Sequence, residues 1–145
     1  MKTSPLLATL LLACGLAAHA ATPAQENAFL DSYKKAFESN DTKALAAFLH
    51  TEGASKDTIE MFTMMQSMNA GKKVASIELI TPSAADMEKF NKPRPMPDGK
   101  MYVMPFAPTK QLVVVVEEGG GKSTSKSPVG EKNGKLVIPV PVPAK

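Results

Sequence analysis

The chain has 145 residues, of which 43% are hydrophobic and 21% are charged, and its formal net charge is +3. This length and composition predict one globular domain and exclude a disordered chain, and no apolar run reaches the roughly 18 residues that a membrane-spanning helix needs. Basic residues are interleaved with acidic ones along the chain and form no basic stripe, so we expect no nucleic-acid partner.

The first twenty residues have the organisation of a secretory signal peptide. Lys2 supplies the positive charge, an apolar stretch follows, and residues 18–20 are Ala-His-Ala, a small-x-small cleavage pattern. We therefore predict a signal peptide over residues 1–20 with cleavage after Ala20, and a single mature domain over residues 21–145. The predicted location is periplasmic or secreted.

Cys14 allows a second interpretation of this segment. Residues 11–15, Leu-Leu-Ala-Cys-Gly, resemble a bacterial lipobox, in which the cysteine is lipidated and anchors the protein to a membrane. If cleavage instead occurs after Ala20, the mature chain has no cysteine. Disulfides, a thiolate nucleophile and a cysteine-based zinc site are then excluded.

Two helices are predicted to follow the leader. Residues 22–25, Thr-Pro-Ala-Gln, form a capping-box pattern with proline at the first helical position, and helical hydrophobic spacing continues for about four turns. A second, shorter helix is predicted to begin at a cap formed by Asp41 or Asn40 and to run to Leu49, with His50 at its end.

The third predicted helix carries a stripe of methionines. It starts near Ser55 or Asp57 and ends at Gly71. Four methionines recur at i, i+3, i+4 and i+7: Met61, Met64, Met65 and Met68. Because methionine fills gaps in packed interiors, this spacing favours a stripe that faces the core. Two other interpretations stay open, namely thioether ligands for Cu(I) and an exposed face that binds a partner.

From Lys73 the hydrophobic period changes to 2, which predicts strands. The first strand ends before Pro82, a short helix follows through Phe90, and a proline-rich crossing leads to the Asp98-Gly99 turn. Four later strands are predicted, at Met101–Phe106, Leu112–Val116, Ser123–Val129 and Leu136–Ile138. The apolar run Leu112–Val116 is expected to be the central strand, and the polar Ser123–Val129 is expected to be an edge or solvent-facing strand. An Asn133-Gly134 hairpin turn precedes the last of them.

The proline-rich tail, with Pro139, Pro141 and Pro143, is predicted to leave the sheet or to lie on an edge, because proline cannot donate to a ladder. Helices followed by an antiparallel meander predict an α+β fold. In this fold the N-terminal helices pack on a curved antiparallel sheet of four to five strands.

This element order, with the Asn40-Asp41 turn and the closing Asn-Gly hairpin, resembles the cone-shaped α+β family of nuclear transport factor 2, ketosteroid isomerase and the SnoaL-like proteins. The resemblance covers Gln25 to Val140. It implies a pocket under the sheet, used for binding or dimerisation by many members and for catalysis by some. The pocket is expected to be lined by Phe29, Tyr33, Phe62, Met65 and Tyr102. The isomerase's catalytic residues match no residue here, so the resemblance implies no active site.

The predicted mature chain offers few of the residue types that hydrolytic and redox sites use, and His50 is its only histidine. We therefore predict an exported, non-catalytic domain that binds a small apolar ligand or a periplasmic protein, with no cofactor. A homodimer through the sheet is one possible arrangement. Two alternatives stay open: an isomerase or cyclase that works from a lone buried carboxylate, Tyr33 or Tyr102, and an inhibitor or immunity-type protein-binding module.

Overall fold

The computed structural model describes residues 20–145, so that most of the predicted signal peptide, with its lipobox cysteine Cys14, lies outside the described residues. Within this range the chain forms four helices, a curved five-stranded sheet and a small three-stranded sheet. The predicted α+β class is confirmed.

Each helix begins at a side-chain cap that the sequence contains. α1 spans Pro23–Glu38, and Thr22 and Gln25 form the predicted capping box, in which the Gln25 N–H donates to Thr22 Oγ1 at 3.2 Å. The other helices are α2 (Thr42–Ala46, capped by Asp41), α3 (Lys56–Ser67, capped by Ser55) and α4 (Ala84–Asn91, capped by Ser83). These side-chain oxygens accept from N–H groups that the first helical turn leaves free.

The second helix is shorter than the sequence predicts. α2 ends at Ala46, and Leu49–His50 form a short strand, β1. β1 pairs in parallel with β7 (Lys135–Pro139), and the Ile138 N–H donates to the Phe48 carbonyl at 2.8 Å. Tertiary pairing with the sheet therefore outweighs local helix propensity. The prediction that His50 ends a helix is wrong.

The main sheet has the strand order β1-β7-β6-β5-β2. Its other strands are β2 (Val74–Ile80), β5 (Lys110–Glu118) and β6 (Gly121–Lys132). Every neighbouring pair is antiparallel except β1 with β7, so the sheet is mixed at one edge. β5 lies between β2 and β6, as the apolar run predicts for a central strand. The polar strand β6 is an interior member of the sheet.

A second, smaller sheet is built partly from the proline-rich tail. It consists of β3 (Arg94–Pro95), β4 (Met101–Val103) and β8 (Val142–Pro143), in the order β3-β4-β8. Pro139 still belongs to β7 inside the main sheet, contrary to the prediction, and the tail after it leaves that sheet and adds an edge strand to the small one. β4 ends at Val103, three residues before the predicted end of that strand.

The hydrophobic core lies between α1 and one face of the main sheet. Phe29, Tyr33 and Phe37 follow one another at every fourth position of α1, with ring centroids 6.2 and 6.3 Å apart. Opposite them lie Leu112, Val114, Val116, Val129 and Ile138. Burial of a side chain of this size stabilises the fold by about 1.5 to 3 kcal/mol.

The methionine stripe of α3 does not face this core. Met64, Met65 and Met68 are 63%, 52% and 72% exposed, and Met61 is half-buried. The prediction of a core-facing stripe is therefore wrong. α1 already covers the sheet, and α3 packs beside α2 instead. Hydrophobic spacing identifies an apolar face but not the neighbour that covers it.

Candidate functional site

A cavity of about 360 Å³ lies between α1, α3, the small sheet and β6. Ligand sites in proteins commonly have volumes of about 300 to 1,000 Å³ and mainly apolar walls. Aromatic and methionine side chains from several elements belong to this wall, including Tyr33, Phe37, Phe62, Phe90, Tyr102 and Met104.

The cavity lies where two neighbouring strands of the main sheet separate. β7 pairs only with the last three residues of β6, Gly130–Lys132. Continuing this register would place Pro128 opposite Pro139, and neither residue has an N–H to donate to the ladder. β7 pairs with β1 from Ile138 onward instead. Residues 125–128 of β6 therefore form one wall of the cavity, and Ile138 belongs to another.

α3 presents a face to the cavity that differs from the methionine stripe. Phe62, Met65, Gln66 and Asn69 line the cavity at i, i+3, i+4 and i+7. This set begins at Phe62, one residue after Met61, where the methionine stripe begins. A shift of one residue corresponds to a rotation of about 100° around the helix axis. Met65 belongs to both faces. It lines the cavity and is also half exposed to solvent.

Two polar groups lie within this largely apolar wall. Burial raises the pKa of the Tyr33 hydroxyl above 10.0, and the Gln66 side chain beside it opposes that rise. The amide nitrogen and oxygen of Gln66 are buried, and neither has a hydrogen-bond partner of good geometry within the described residues. An unpaired buried amide costs about 1 to 3 kcal/mol, which a ligand with a polar group can recover.

The hairpin of β3 and β4 closes one side of the cavity and is held by a carboxylate. The Lys100 N–H donates to Asp98 Oδ1 at 3.0 Å, and the Tyr102 hydroxyl donates to Asp98 Oδ2 at 2.7 Å. Both bonds stabilise the ionised carboxylate and hold the pKa of Asp98 below its ordinary value of 3.8. Tyr102 is buried, so this bond fixes a lining side chain to the hairpin turn.

Replacing Tyr102 by phenylalanine is expected to raise the pKa of Asp98 toward 3.8, because one of its two donors is removed. A lowered pKa stabilises the fold above the unfolded-state value, and this contribution disappears as pH falls through the folded-state value. We therefore expect the wild type to lose this contribution progressively as pH falls from about 3.8 through the lower folded-state pKa of Asp98. Carbon-detected NMR titration of the Asp98 carboxyl in both proteins measures the shift, and equal values would contradict the assigned bond.

Positive side chains line the cavity without acidic neighbours in its wall. Lys92, Arg94 and Lys126 are among the lining residues, and no Asp or Glu of residues 20–145 is. Lys92 forms an ion pair with Glu88 on α4. Arg94 and Lys126 are exposed and have no ion pair within the described part of the chain.

Four of the five side chains expected to line a pocket lie in this wall: Tyr33, Phe62, Met65 and Tyr102. The fifth, Phe29, does not. It lies one turn earlier on α1 and packs edge-on against Phe48, with ring centroids 5.3 Å apart, inside the core. The same helix face therefore lies in the core along its length and also borders the cavity at Tyr33 and Phe37.

Sequence reasoning missed Gln66, Arg94 and Lys126. Arg94 stands between two prolines in the predicted crossing. This pattern predicts a rigid, extended segment, but it does not show which part of the fold the segment faces. Lys126 belongs to a strand whose polar alternation predicts an edge or solvent-facing strand and not the wall of a cavity. Gln66 is a polar residue in a predicted helix, and nothing in the sequence indicates that its amide is buried.

No His, Cys, Asp and Glu side chains within residues 20–145 gather in a group of three that could hold a metal ion. Copper(I) binding by Met61, Met64, Met65 and Met68 stays a prediction, now attached to side chains that are largely at the surface. Among the helices of the described residues, none is both long and apolar enough to cross a membrane. Ala20, the predicted cleavage position, is exposed at the start of the described range.

Comparison of the chain with protein-family models, with curated proteins and with solved structures gives no match.

Proposed function

We propose that this domain binds a small, mainly apolar molecule in the cavity between α1, α3 and the small sheet, and that it carries out no reaction on that molecule. The observation that carries the proposal is the cavity itself, with a volume of about 360 Å³ and a wall rich in aromatic and methionine side chains. Such walls bind apolar ligands by removing their surface from water, at about 25 cal/mol per Å².

The polar groups of the wall support binding more than proton transfer. Because burial raises the pKa of Tyr33, its hydroxyl stays protonated near neutral pH and can donate a hydrogen bond. The Gln66 amide can donate and accept, but it does not titrate. Tyr102 already donates to Asp98. Together these groups can orient a ligand that carries one polar atom.

The cellular setting and family of the protein are also proposals. The leader predicted over residues 1–20 supports binding outside the cytoplasm, with Cys14 as a lipid anchor if the lipobox is used. The element order supports kinship with the nuclear transport factor 2 and SnoaL-like proteins, many of which use their pocket only for binding or dimerisation. The isomerase, inhibitor and homodimer hypotheses stay predictions.

A neutral fluorescent probe tests binding in the cavity. N-phenyl-1-naphthylamine is expected to bind the wild-type domain with increased emission, because the cavity shields it from water. Ser127→Phe places a ring in the cavity wall and is expected to weaken this binding at least tenfold. Ser123→Phe is the matched control, because Ser123 lies on the same side of β6 but outside the cavity.

The proposal requires a difference between these two variants. Both are first shown to keep the wild-type circular dichroism spectrum and cooperative urea unfolding, so that loss of binding is not loss of folding. Equal probe affinity in wild type, Ser127→Phe and Ser123→Phe would place the probe elsewhere. Absence of any saturable binding to the wild type would contradict a ligand cavity of this character.

A further inference from the structure

We infer that the natural ligand is an amphipathic organic anion, whose apolar body fills the cavity and whose negative group is bound by Arg94 and Lys126. This inference rests on the proposed binding function and adds the chemical class of the ligand. It follows from the distribution of charge around the cavity together with the apolar wall.

The wall contains an excess of positive charge that the protein itself does not neutralise. Arg94 and Lys126 both line the cavity, and neither forms an ion pair with any residue in 20–145. The third lining cation, Lys92, already pairs with Glu88. Elsewhere on the described surface four other ion pairs occur, including Lys110 with Glu26 at 3.2 Å. Arg94 and Lys126 are therefore the cations of the cavity wall that remain available to a ligand.

Arg94 is held in place by the backbone around it. Pro93 and Pro95 fix the backbone φ on both sides, and Arg94 lies opposite Tyr102 in the β3–β4 ladder. Asp98 in turn anchors Tyr102 through its hydroxyl. These contacts fix the position of the Arg94 backbone, and its planar guanidinium can bind a carboxylate or sulfonate with two parallel hydrogen bonds.

Lys126 approaches the cavity from a different wall. It lies in the part of β6 that has no partner on the β7 side, because pairing with β7 is confined to residues 130–132. Its long aliphatic stem can cover apolar ligand surface while the ammonium group stays in water. Lys126 pairs with Val113 and therefore lies on the opposite face of β6 from Ser125 and Ser127, so its ammonium group can reach the cavity only around this open strand edge. Arg94 shares a face of the small sheet with Tyr102, which lines the cavity.

Exposed charges are screened by solvent, so the expected effect is moderate. A single exposed ion pair contributes little, and two donors acting on one anion are expected to change its affinity by about tenfold. The same interaction weakens as salt is added, whereas burial of the apolar body does not.

Two dyes with the same aromatic body separate the two contributions. 8-Anilino-1-naphthalenesulfonate carries a sulfonate that N-phenyl-1-naphthylamine lacks. The wild type is expected to bind the sulfonate dye more tightly, and the double variant Arg94→Gln/Lys126→Gln is expected to lose about tenfold in affinity for it. Binding of the neutral dye should change by less than about twofold, since that dye has no charge to lose.

A matched control removes two charges elsewhere. Lys34→Gln/Lys43→Gln alters two exposed lysines outside the cavity and is expected to leave both affinities unchanged. If Arg94→Gln/Lys126→Gln binds both dyes as the wild type does, the anion inference is overturned and the binding function stands. An equal loss in the control variant also overturns it, because general charge would then be the cause. Failure of the wild type to bind either dye overturns the binding function and the inference together.

Discussion

Replacing Leu112 by alanine is expected to lower the free energy of unfolding by about 2 to 5 kcal/mol. Leu112 is 1% exposed in the central strand β5 and belongs to the cluster that packs against α1. β2 and β6 hold β5 on both sides, so the backbone cannot close the space that the lost side chain leaves. Domains of this size have a net stability of about 5 to 15 kcal/mol, so the loss is a large share of the total.

Urea denaturation of wild type and Leu112→Ala measures the effect, which should shift the midpoint and leave the slope unchanged. Leu30→Ala is the matched control, because Leu30 is half-buried at the margin of the same cluster. We expect Leu30→Ala to lower the free energy of unfolding by clearly less than Leu112→Ala, since part of the Leu30 side chain is already in water. A cost for Leu30→Ala equal to that for Leu112→Ala would contradict the assigned centre of the core.

The parts of the fold that local chemistry determines could be predicted from the sequence. The caps at Thr22, Asp41 and Ser55 depend on residues within four positions of one another, and the structure contains all three. The apolar run of β5 and the Asn133-Gly134 turn are equally local. Asn133 and Gly134 have φ angles of 52° and 73°, the left-handed region that this hairpin turn requires.

The features that form the cavity depend on contacts far apart in the sequence. The predicted second helix ends early and β1 forms instead, because the carbonyls of Phe48 and His50 accept hydrogen bonds from the N–H groups of Ile138 in β7 and of Val140 just after it, some ninety residues later. The gap beside β6 needs Pro128 and Pro139 at one register position, which no single segment reveals. The orientation of α3 likewise depends on α2, so the methionine spacing could not show that Met64 and Met68 face solvent.

The charge around the candidate site likewise could not be predicted from the sequence. Interleaved basic and acidic residues along the chain suggested no organised positive surface. The fold places Arg94 and Lys126, which are separated by 31 intervening residues, in the wall of one cavity, and no acidic side chain of residues 20–145 lines that wall. Composition therefore gives the net charge of the protein, but the charge that surrounds a cavity depends on which residues the fold places there.

Substituting Gly130 by alanine is expected to destabilise the fold by about 1 to 3 kcal/mol, through a single clash. A Cβ atom at Gly130 would lie 2.5 Å from Cε2 and 3.0 Å from Cδ2 of the Phe106 ring. The ring packs edge-on against His50, with centroids 5.2 Å apart, and lies 5.9 Å below the Lys132 ammonium. It cannot move aside without losing these contacts. Gly130 does not have a positive φ, so the cost is steric and not conformational.

A double-mutant cycle with Phe106→Ala isolates this contact. Once the ring is removed, Gly130→Ala is expected to cost close to nothing, so the coupling free energy from urea denaturation should equal nearly the whole single-variant loss. An equal cost in both backgrounds would show that another neighbour opposes the Cβ. Gly130 is the first β6 residue paired with β7, opposite Val137. The cycle therefore tests how closely the chain packs at the point where the strands begin to separate around the cavity.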